Sequence, residues 1–145
     1  MKHVKINLKN LAASLALPAF LFLFSSCSKK IYFENSSVVP AAQGYVKIKK
    51  DNNNNSNIDI KVMHLADPMR LQPSAKTYVI WMDTESNSIK NLGQLESRDH
   101  FLSKTLKGSF NAVTAFKPVK IFITAEDDAA ISSPRGRPVL ETKKF

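Results

Sequence analysis

Short segments with β-strand character, separated by turn-forming residues, follow one another through most of this chain. In residues 44–50, Val46 and Ile48 alternate with lysines, which is the two-residue period of a half-buried strand. Residues 58–62 alternate in the same way. Between the two lies the polar run DNNNNSN, whose asparagines tolerate the left-handed backbone that tight turns require. This pattern predicts a β-hairpin.

Further segments of strand length follow the hairpin, with loops or turns between them. They are residues 77–82, 89–95, 100–106, 110–116, 119–124 and 139–142, with a break at Lys107-Gly108. Residues 77–82 are apolar on both faces, as in a central strand that is covered on both sides. Seven or eight short strands, with no helix after residue 26, predict an all-β fold. The expected architecture is an antiparallel immunoglobulin-like β-sandwich that follows an N-terminal signal-peptide helix.

The same alternation predicts which side chains form the core. We expect Trp81 to fill the space between the two sheets while its indole N–H donates to a carbonyl oxygen. The predicted core consists of Val46, Ile48, Ile58, Ile60, Val62, Tyr78, Ile80, Trp81, Phe122 and Ile123.

The N-terminus has the features of a secretory signal peptide. Three lysines occur in the first nine residues, and residues 11–24 carry no charge. The uncharged stretch extends to Ser28, so a membrane-spanning anchor of about 20 apolar residues is a second interpretation. Pro18 in the middle of the run and the serines at its end favour a signal peptide, which we place at residues 1–26.

Cys27, the single cysteine of the chain, follows the apolar run. Redox chemistry or zinc binding requires a second cysteine or clustered histidines, and the three histidines are scattered. Residues 24–27, Phe-Ser-Ser-Cys, resemble a bacterial lipobox, in which the cysteine receives diacylglycerol and becomes the first residue of the mature chain. An ordinary signal peptide with an unmodified cysteine is the alternative. The resemblance implies a lipoprotein held in the membrane by two or three acyl chains, such as palmitate, on Cys27.

The resemblance to bacterial lipoproteins also implies a location. Ser28, rather than aspartate, after the cysteine is similar to the sorting signal for the outer membrane, and the basic pair Lys29-Lys30 favours the periplasmic side. The predicted organisation is a lipoprotein signal peptide (1–26), the lipidated cysteine with a tether (27–43) and a β-sandwich domain (44–145).

The chain is basic, with a formal net charge of +9. Removal of residues 1–26 takes away three lysines and no acidic residue, which leaves +6. This charge suits anionic lipid or glycan surfaces. Nucleic acid is not an expected partner, because an exported lipoprotein rarely meets it. Lysines that alternate with apolar residues, such as Lys47 and Lys49, are expected on the solvated face of a strand.

Motifs of catalytic, cofactor or metal sites do not occur in the chain. His64 and His100 are the histidines after residue 26, and neither has the spacing of metal ligands. His64 continues the inward-facing set of residues 58–62, which predicts a hydrogen-bonded histidine at the edge of the core. Four widely separated glycines form neither a phosphate-binding loop nor a nucleophile elbow. We therefore expect no enzyme, no cofactor and no metal.

Three polar segments are candidates for weak ligand binding. Residues 51–55 place oxygens as in a calcium loop, but the sixth and twelfth positions hold serine and valine, so a turn is favoured. Glu126-Asp127-Asp128 is expected to be a solvated acidic tip, with weak cation binding as the alternative. Arg135 and Arg137 present planar guanidinium groups to a phosphate or carboxylate, although exposed turn arginines are the simpler interpretation.

Four stretches resemble the periplasmic C-terminal domain of the anti-sigma-K factor family. Residues 76–82, KTYVIWM, and 91–95, NLGQL, are similar to its tyrosine–x–x–tryptophan strand, hairpin and leucine–glycine pair. Residues 121–126, IFITAE, and 133–140, SPRGRPVL, are similar to its closing strand, proline–x–glycine turn and last strand. The resemblance spans roughly residues 44–142 and implies an extracytoplasmic β-sandwich without catalytic apparatus. A signal peptide and a cysteine replace that family's sigma-binding segment and membrane span, so sigma-factor inhibition is not implied.

These features predict a lipid-anchored, non-catalytic binding or structural module that engages an envelope protein or glycan in the periplasm. The resemblance suggests a second hypothesis, an accessory of an envelope-stress or anti-sigma signalling pathway. A small hydrolase is a third hypothesis, because a serine–histidine–aspartate set that is dispersed along the chain leaves no local motif.

Overall fold

Two antiparallel β-sheets make up the part of the protein that the computed structural model describes, residues 29–98 and 106–145. The strands are β1 (Lys30–Tyr32), β2 (Gln43–Lys50), β3 (Ser56–Leu65), β4 (Thr77–Thr84), β5 (Ile89–Gln94), β6 (Glu96–Arg98), β7 (Leu106–Thr114), β8 (Pro118–Glu126) and β9 (Pro138–Glu141). A single turn of 3-10 helix, Pro68–Arg70, interrupts the β3–β4 loop. The prediction of an all-β sandwich is confirmed, and the predicted signal-peptide helix lies outside the described residues.

The order of the strands is that of an immunoglobulin-like sandwich. The five-stranded sheet has the order β1-β2-β3-β7-β6, and the four-stranded sheet has the order β5-β4-β8-β9. Without β1, these orders correspond to strands A-B-E-D and C′-C-F-G of the immunoglobulin fold. The chain crosses between the sheets after β3, β5 and β7, so the central strands of each sheet pair over long sequence separations.

The main core lies between the two sheets. The five-stranded sheet contributes alternate residues of β2 and β3, and the four-stranded sheet contributes alternate residues of β4 and β8. All ten residues of the predicted core are buried except Ile48, which packs against the cluster while partly exposed. The inner-face side chains include Val46, Ile58, Ile60, Val62, Tyr78, Ile80, Met82, Ile121, Ile123 and Leu140.

Trp81 is buried, but on the opposite face from the one predicted. Tyr78, Ile80 and Met82 point into the main core, so strand alternation turns Trp81 to the outer face of the four-stranded sheet. There its ring stacks on Phe122 with the ring centroids 6.3 Å apart. Its indole N–H donates to the hydroxyl of Thr124 rather than to a carbonyl oxygen.

A bulge near the end of β3 overturns the prediction for His64. The pairing of β3 with β7 shifts between Val62 and Leu65, and His64 has a positive φ of 58°. The extra residue changes the parity of the strand, so Leu65 takes the inward position and His64 is exposed. The prediction of a histidine at the edge of the core is wrong for this reason.

Residues 30–42, assigned to the tether, are part of the sandwich. Ile31 in β1 pairs with Val46 of β2. After β1 the chain crosses to the four-stranded sheet, where Phe33 bridges to Thr142 and the amide of Glu34 donates to the carbonyl oxygen of Glu141. The predicted domain start at residue 44 is therefore too late. The alternation pattern did not reveal this segment, because its buried residues Ser36, Val39 and Ala42 lie outside the strands.

The predicted strand break at Lys107-Gly108 does not exist, because both residues lie inside β7. Gly108 has a packing requirement instead: a Cβ at this position would lie 2.6 Å from a methyl carbon of the buried Leu95. Residues 99–105, which hold most of the predicted strand 100–106, lie outside the described part of the chain.

The bulge in β3 predicts opposite effects for two neighbouring alanine substitutions. Leu65→Ala is expected to lower the free energy of unfolding by about 2–5 kcal/mol, because it leaves a cavity in the core. His64→Ala is expected to lower it by less than about 1 kcal/mol, because the side chain is exposed and the substitution loses only the better tolerance of histidine for a positive φ. Urea denaturation of both variants measures the two changes in the free energy of unfolding. A larger loss of stability for His64→Ala than for Leu65→Ala would mean that the strand has no bulge.

The buried phenol of Tyr78 predicts a loss of stability in alkaline solution. Its hydroxyl donates to the carbonyl oxygen of Ala66 at 3.0 Å. Burial, and secondarily the charge of Asp67, raises the pKa of Tyr78 from 10.0 to about 12. Between these values the unfolded chain loses the phenolic proton and the folded chain keeps it, so the free energy of unfolding falls as the pH rises.

Chemical denaturation across this alkaline range, with Tyr78→Phe as the comparison, measures that contribution. The variant is expected to show a smaller fall in stability with pH than the unsubstituted protein. Identical slopes for the two proteins would contradict the assignment to Tyr78.

Candidate functional site

Several predicted site residues lie outside the described part of the chain. These are Cys27, the signal peptide before it, and His100. Within residues 29–98 and 106–145, no helix has the length and apolar character needed to cross a bilayer. The lipid attachment at Cys27 therefore stays a prediction.

The Asp51–Asn55 segment is a hairpin turn, as favoured over a calcium loop. One carboxylate oxygen of Asp51 accepts the backbone N–H groups of Asn53 (2.9 Å) and Asn55 (2.8 Å), and the other accepts the Asn55 side-chain amide (3.0 Å). The side-chain bond from Asn55, with the two backbone bonds, lowers the pKa of Asp51 below its ordinary value. Asn54 adopts the left-handed conformation with φ 64°. In the described residues, no three histidine, cysteine or acidic side chains converge as metal ligands.

Glu126 is not part of a solvated acidic tip. It is the last residue of β8 and is 4% exposed, whereas Asp127 and Asp128 are exposed. Its Oε1 accepts the hydroxyl of Thr124 at 2.6 Å and the backbone N–H groups of Arg135 (3.0 Å) and Gly136 (3.3 Å). The predicted acidic tip is therefore correct for two of its three residues, and the third ties the β8–β9 loop to the sheet.

The β8–β9 loop, residues 127–137, covers the outer face of the four-stranded sheet. Ala129 and Ile131 pack against the cluster of Val79, Trp81 and Phe122. The Asn91 side-chain amide donates to the carbonyl oxygens of Ala129 (2.9 Å) and Ile131 (2.8 Å). This loop therefore serves the packing of the sheet.

Arg135 and Arg137, the predicted anion-binding pair, lie in this loop with exposed side chains. The carboxylate beside them is that of Glu126, and it is bound by the backbone N–H groups of Arg135 and Gly136. In this loop, the groups that bind the Glu126 carboxylate are thus backbone N–H groups. The sequence had instead predicted that the guanidinium groups would bind an anion.

The outer face of the five-stranded sheet presents lysines around two tyrosines, and we call it the lysine face. The register aligns Lys30 with Lys47 and Tyr32 with Tyr45. The ammonium groups of Lys30 and Lys47 lie 4.6 and 5.6 Å from the centroid of the Tyr45 ring. Tyr32 packs edge-on against the same ring at 6.2 Å. The outward residues are Lys30 and Tyr32 of β1, Tyr45, Lys47 and Lys49 of β2, Asn57, Asp59 and Lys61 of β3, and Ser109, Asn111 and Val113 of β7.

A groove of about 450 Å³ crosses the lysine face over β2, β3 and β7. Lys47, Lys49, Asn57, Asp59, Asn111 and Val113 line it. Two ammonium groups, one carboxylate and two amides offer charge-assisted and neutral hydrogen bonds to an acidic or hydroxyl-rich ligand. The alternation in β2 correctly predicted Lys47 and Lys49 on the solvated face. Tyr32, Asn57 and Asn111 were not predicted, because only the sheet register brings them to that face.

Comparisons with known proteins give no assignment. No model of a known protein family matches the chain, and neither a curated protein nor a solved structure matches it. The resemblance to the anti-sigma-K domain remains a prediction from the quoted motifs.

The contacts of Glu126 predict that its acceptor oxygen matters more than its charge. Glu126→Ala leaves the Thr124 hydroxyl and two backbone N–H groups without their acceptor, and is expected to lower the free energy of unfolding by about 1–3 kcal/mol. Glu126→Gln keeps an oxygen at the same place and is expected to lose less. Hydrogen exchange at the amides of Arg135 and Gly136 should accelerate in the alanine variant alone. Equal exchange in both variants would mean that Glu126 does not hold the loop.

Proposed function

We propose that this protein is a lipid-anchored, non-catalytic binding module of the cell envelope. In this proposal Cys27 carries the lipid, and the outer membrane holds the domain on its periplasmic side. The basic N-terminus, the uncharged residues 11–24 and the lipobox-like residues 24–27 support the anchor.

The lysine face is the observation that carries the binding proposal. It is an exposed sheet face with a groove, two lysines in that groove, and neighbouring tyrosines that combine apolar rings with hydroxyl groups. Such a face suits an envelope protein or glycan with acidic groups, because the lysines attract it and the amides and Asp59 orient it. The exposed face of a β-sandwich needs no conformational change to bind such a partner.

The non-catalytic part of the proposal rests on the chemistry available to the described residues. His64 stands on the bulge of β3, away from the groove residues of β2, β3 and β7. The buried carboxylate of Glu126 is engaged with Thr124 and the β8–β9 loop. A hydrolase needs a nucleophile and a base in contact. A binding module needs only exposed polar groups, such as those that line the groove.

Cross-linking in intact cells tests the proposal and identifies the partner by mass spectrometry. Lys47→Glu combined with Lys49→Glu is expected to reduce the yield of the cross-linked partner by about ten-fold or more, since the two reversed charges repel an acidic surface. Arg70→Glu combined with Lys76→Glu is the matched control, because both residues are exposed in the β3–β4 loop.

The same digest gives the mass of the N-terminal peptide and thus the state of Cys27. A lipidated cysteine and a partner that is lost only in the Lys47/Lys49 variant are the expected results. Equal loss in both double variants would count against the lysine face. An unmodified Cys27 would count against the anchor.

A further inference from the structure

One end of the sandwich collects three turns, and we call it the turn end. In the five-stranded sheet, Ser56 at the start of β3 pairs with Lys50 and Thr114. In the four-stranded sheet, Thr84 at the end of β4 pairs with Pro118. The short β7–β8 connection joins the two sheets here, and the Ser56 hydroxyl donates to the carbonyl oxygen of Phe116 at 3.1 Å. The turn end comprises residues 50–55, 83–90, 114–118 and 143–145.

Large apolar side chains are exposed at the turn end. Phe116 is 48% exposed, Ile89 is 47% exposed and Phe145 is 45% exposed. The ammonium group of Lys90 lies 5.1 Å from the centroid of the Phe116 ring. Exposed apolar groups beside lysines are typical of surfaces that bind membranes, where the apolar groups enter the headgroup region and the ammonium groups contact lipid phosphates.

The turn end also has an excess of positive charge. Together with the residues at which the described chain begins, it carries seven lysines and, counting Glu34, four acidic side chains. Two of these lysines have acidic partners, Lys117 with Glu85 (2.6 Å) and Lys143 with Glu34 (3.9 Å). The lysines are Lys29, Lys30, Lys50, Lys90, Lys117, Lys143 and Lys144, and the acidic residues are Glu34, Asp51, Asp83 and Glu85.

The position of β1 brings the proposed lipid close to this end. Lys30 pairs with Lys47, and β1 runs away from the turn end, so the chain before Lys30 leads towards it. Cys27 precedes Lys30 by three residues, which span at most about 11 Å. That distance is similar to the Debye length of about 8–10 Å in physiological salt. A lipid on Cys27 would therefore hold the first lysines of the sandwich within the electrostatic reach of the bilayer surface.

We propose that the turn end docks on an anionic bilayer surface, with Phe116, Ile89 and Phe145 in the headgroup region and the surrounding lysines on lipid phosphates. The orientation rests on the proposed lipidation of Cys27, and the docking itself is measured independently of it. The domain is then held against the bilayer with its strands rising from the surface, instead of moving at the end of a tether.

The substitution Phe116→Trp places a fluorescent reporter on the turn end. The other tryptophan of the chain, Trp81, is buried and reports on folding in the same sample. The protein is purified from membranes of cells that express the full chain. It is then placed in vesicles of brominated phosphatidylcholine, with or without phosphatidylglycerol. We expect the introduced indole to be quenched in the anionic vesicles and less quenched when salt is raised. Met69→Trp is the control at the opposite end, where Met69 is 69% exposed, and its indole is expected to stay unquenched.

Charge reversal tests the lysines in the same vesicles. Each basic residue close to an anionic surface contributes about five-fold to binding, so Lys90→Glu with Lys144→Glu is expected to lower the ratio of docked to undocked protein by about 25-fold or more. Arg70→Glu with Lys76→Glu, in the β3–β4 loop at the opposite end, is expected to change it by less than about two-fold.

Equal quenching of the Phe116→Trp and Met69→Trp indoles, or no quenching of either, would overturn the docking proposal. The mass of the N-terminal peptide from the same preparation reports the state of Cys27. If Cys27 proves unmodified, the proposed lipid anchor is wrong. The docking is then tested without it, by adding the protein to preformed anionic vesicles and measuring the same quenching.

Discussion

The paired strands β4 and β8 have apolar side chains on both faces, and the rest of the sandwich is arranged to cover them. Ile80 and Ile123 on the inner face pack against the five-stranded sheet. Trp81 and Phe122 on the outer face form a second cluster, which a sheet in a two-layer fold would leave exposed to water. The β8–β9 loop supplies the missing cover, and the contacts of Glu126 and Asn91 hold it in place. The loop thus acts as a partial third layer over one sheet.

In β2, and in β3 up to Val62, the two-residue period is uninterrupted, so strand alternation predicted the sandwich, and nine of the ten side chains assigned to the core are buried. Strand alternation missed other core residues, such as Leu65, Met82 and Ile121. It failed where one residue changes the parity or where burial occurs outside a strand. Because of the bulge, Leu65 instead of His64 takes the inward position, and no local residue preference predicts a bulge there. Strand β4 is apolar on both faces, so its sequence does not indicate whether Trp81 points into the main core or to the outer face. Only the packing of the neighbouring strands and of the β8–β9 loop decides this.

Strand alternation also predicted only part of the candidate binding surface, the lysine face. Lys47 and Lys49 were placed correctly because they lie within one periodic strand. Their neighbours Asn57 and Asn111 come from strands separated from β2 by a turn and by a crossing of the sandwich. The pairing register between strands depends on the whole fold, and the alternation within one strand does not give it. In the proposed orientation, the lysine face stands roughly perpendicular to the bilayer, so a partner in the aqueous layer can reach it while the turn end is occupied by lipid.

The N-terminal segment also determines how the domain bears mechanical load. Residues 30–42 join the edge of one sheet to the edge of the other through β1 and the bonds of Phe33 and Glu34. Tension applied through an anchor at Cys27 acts along the axis of β1, so the hydrogen bonds between β1 and β2 are strained together in shear instead of being opened one after another. If Cys27 carries the proposed lipid, the hydrogen bonds that join β1 to the sandwich are therefore also the bonds that resist a pull on the lipid anchor.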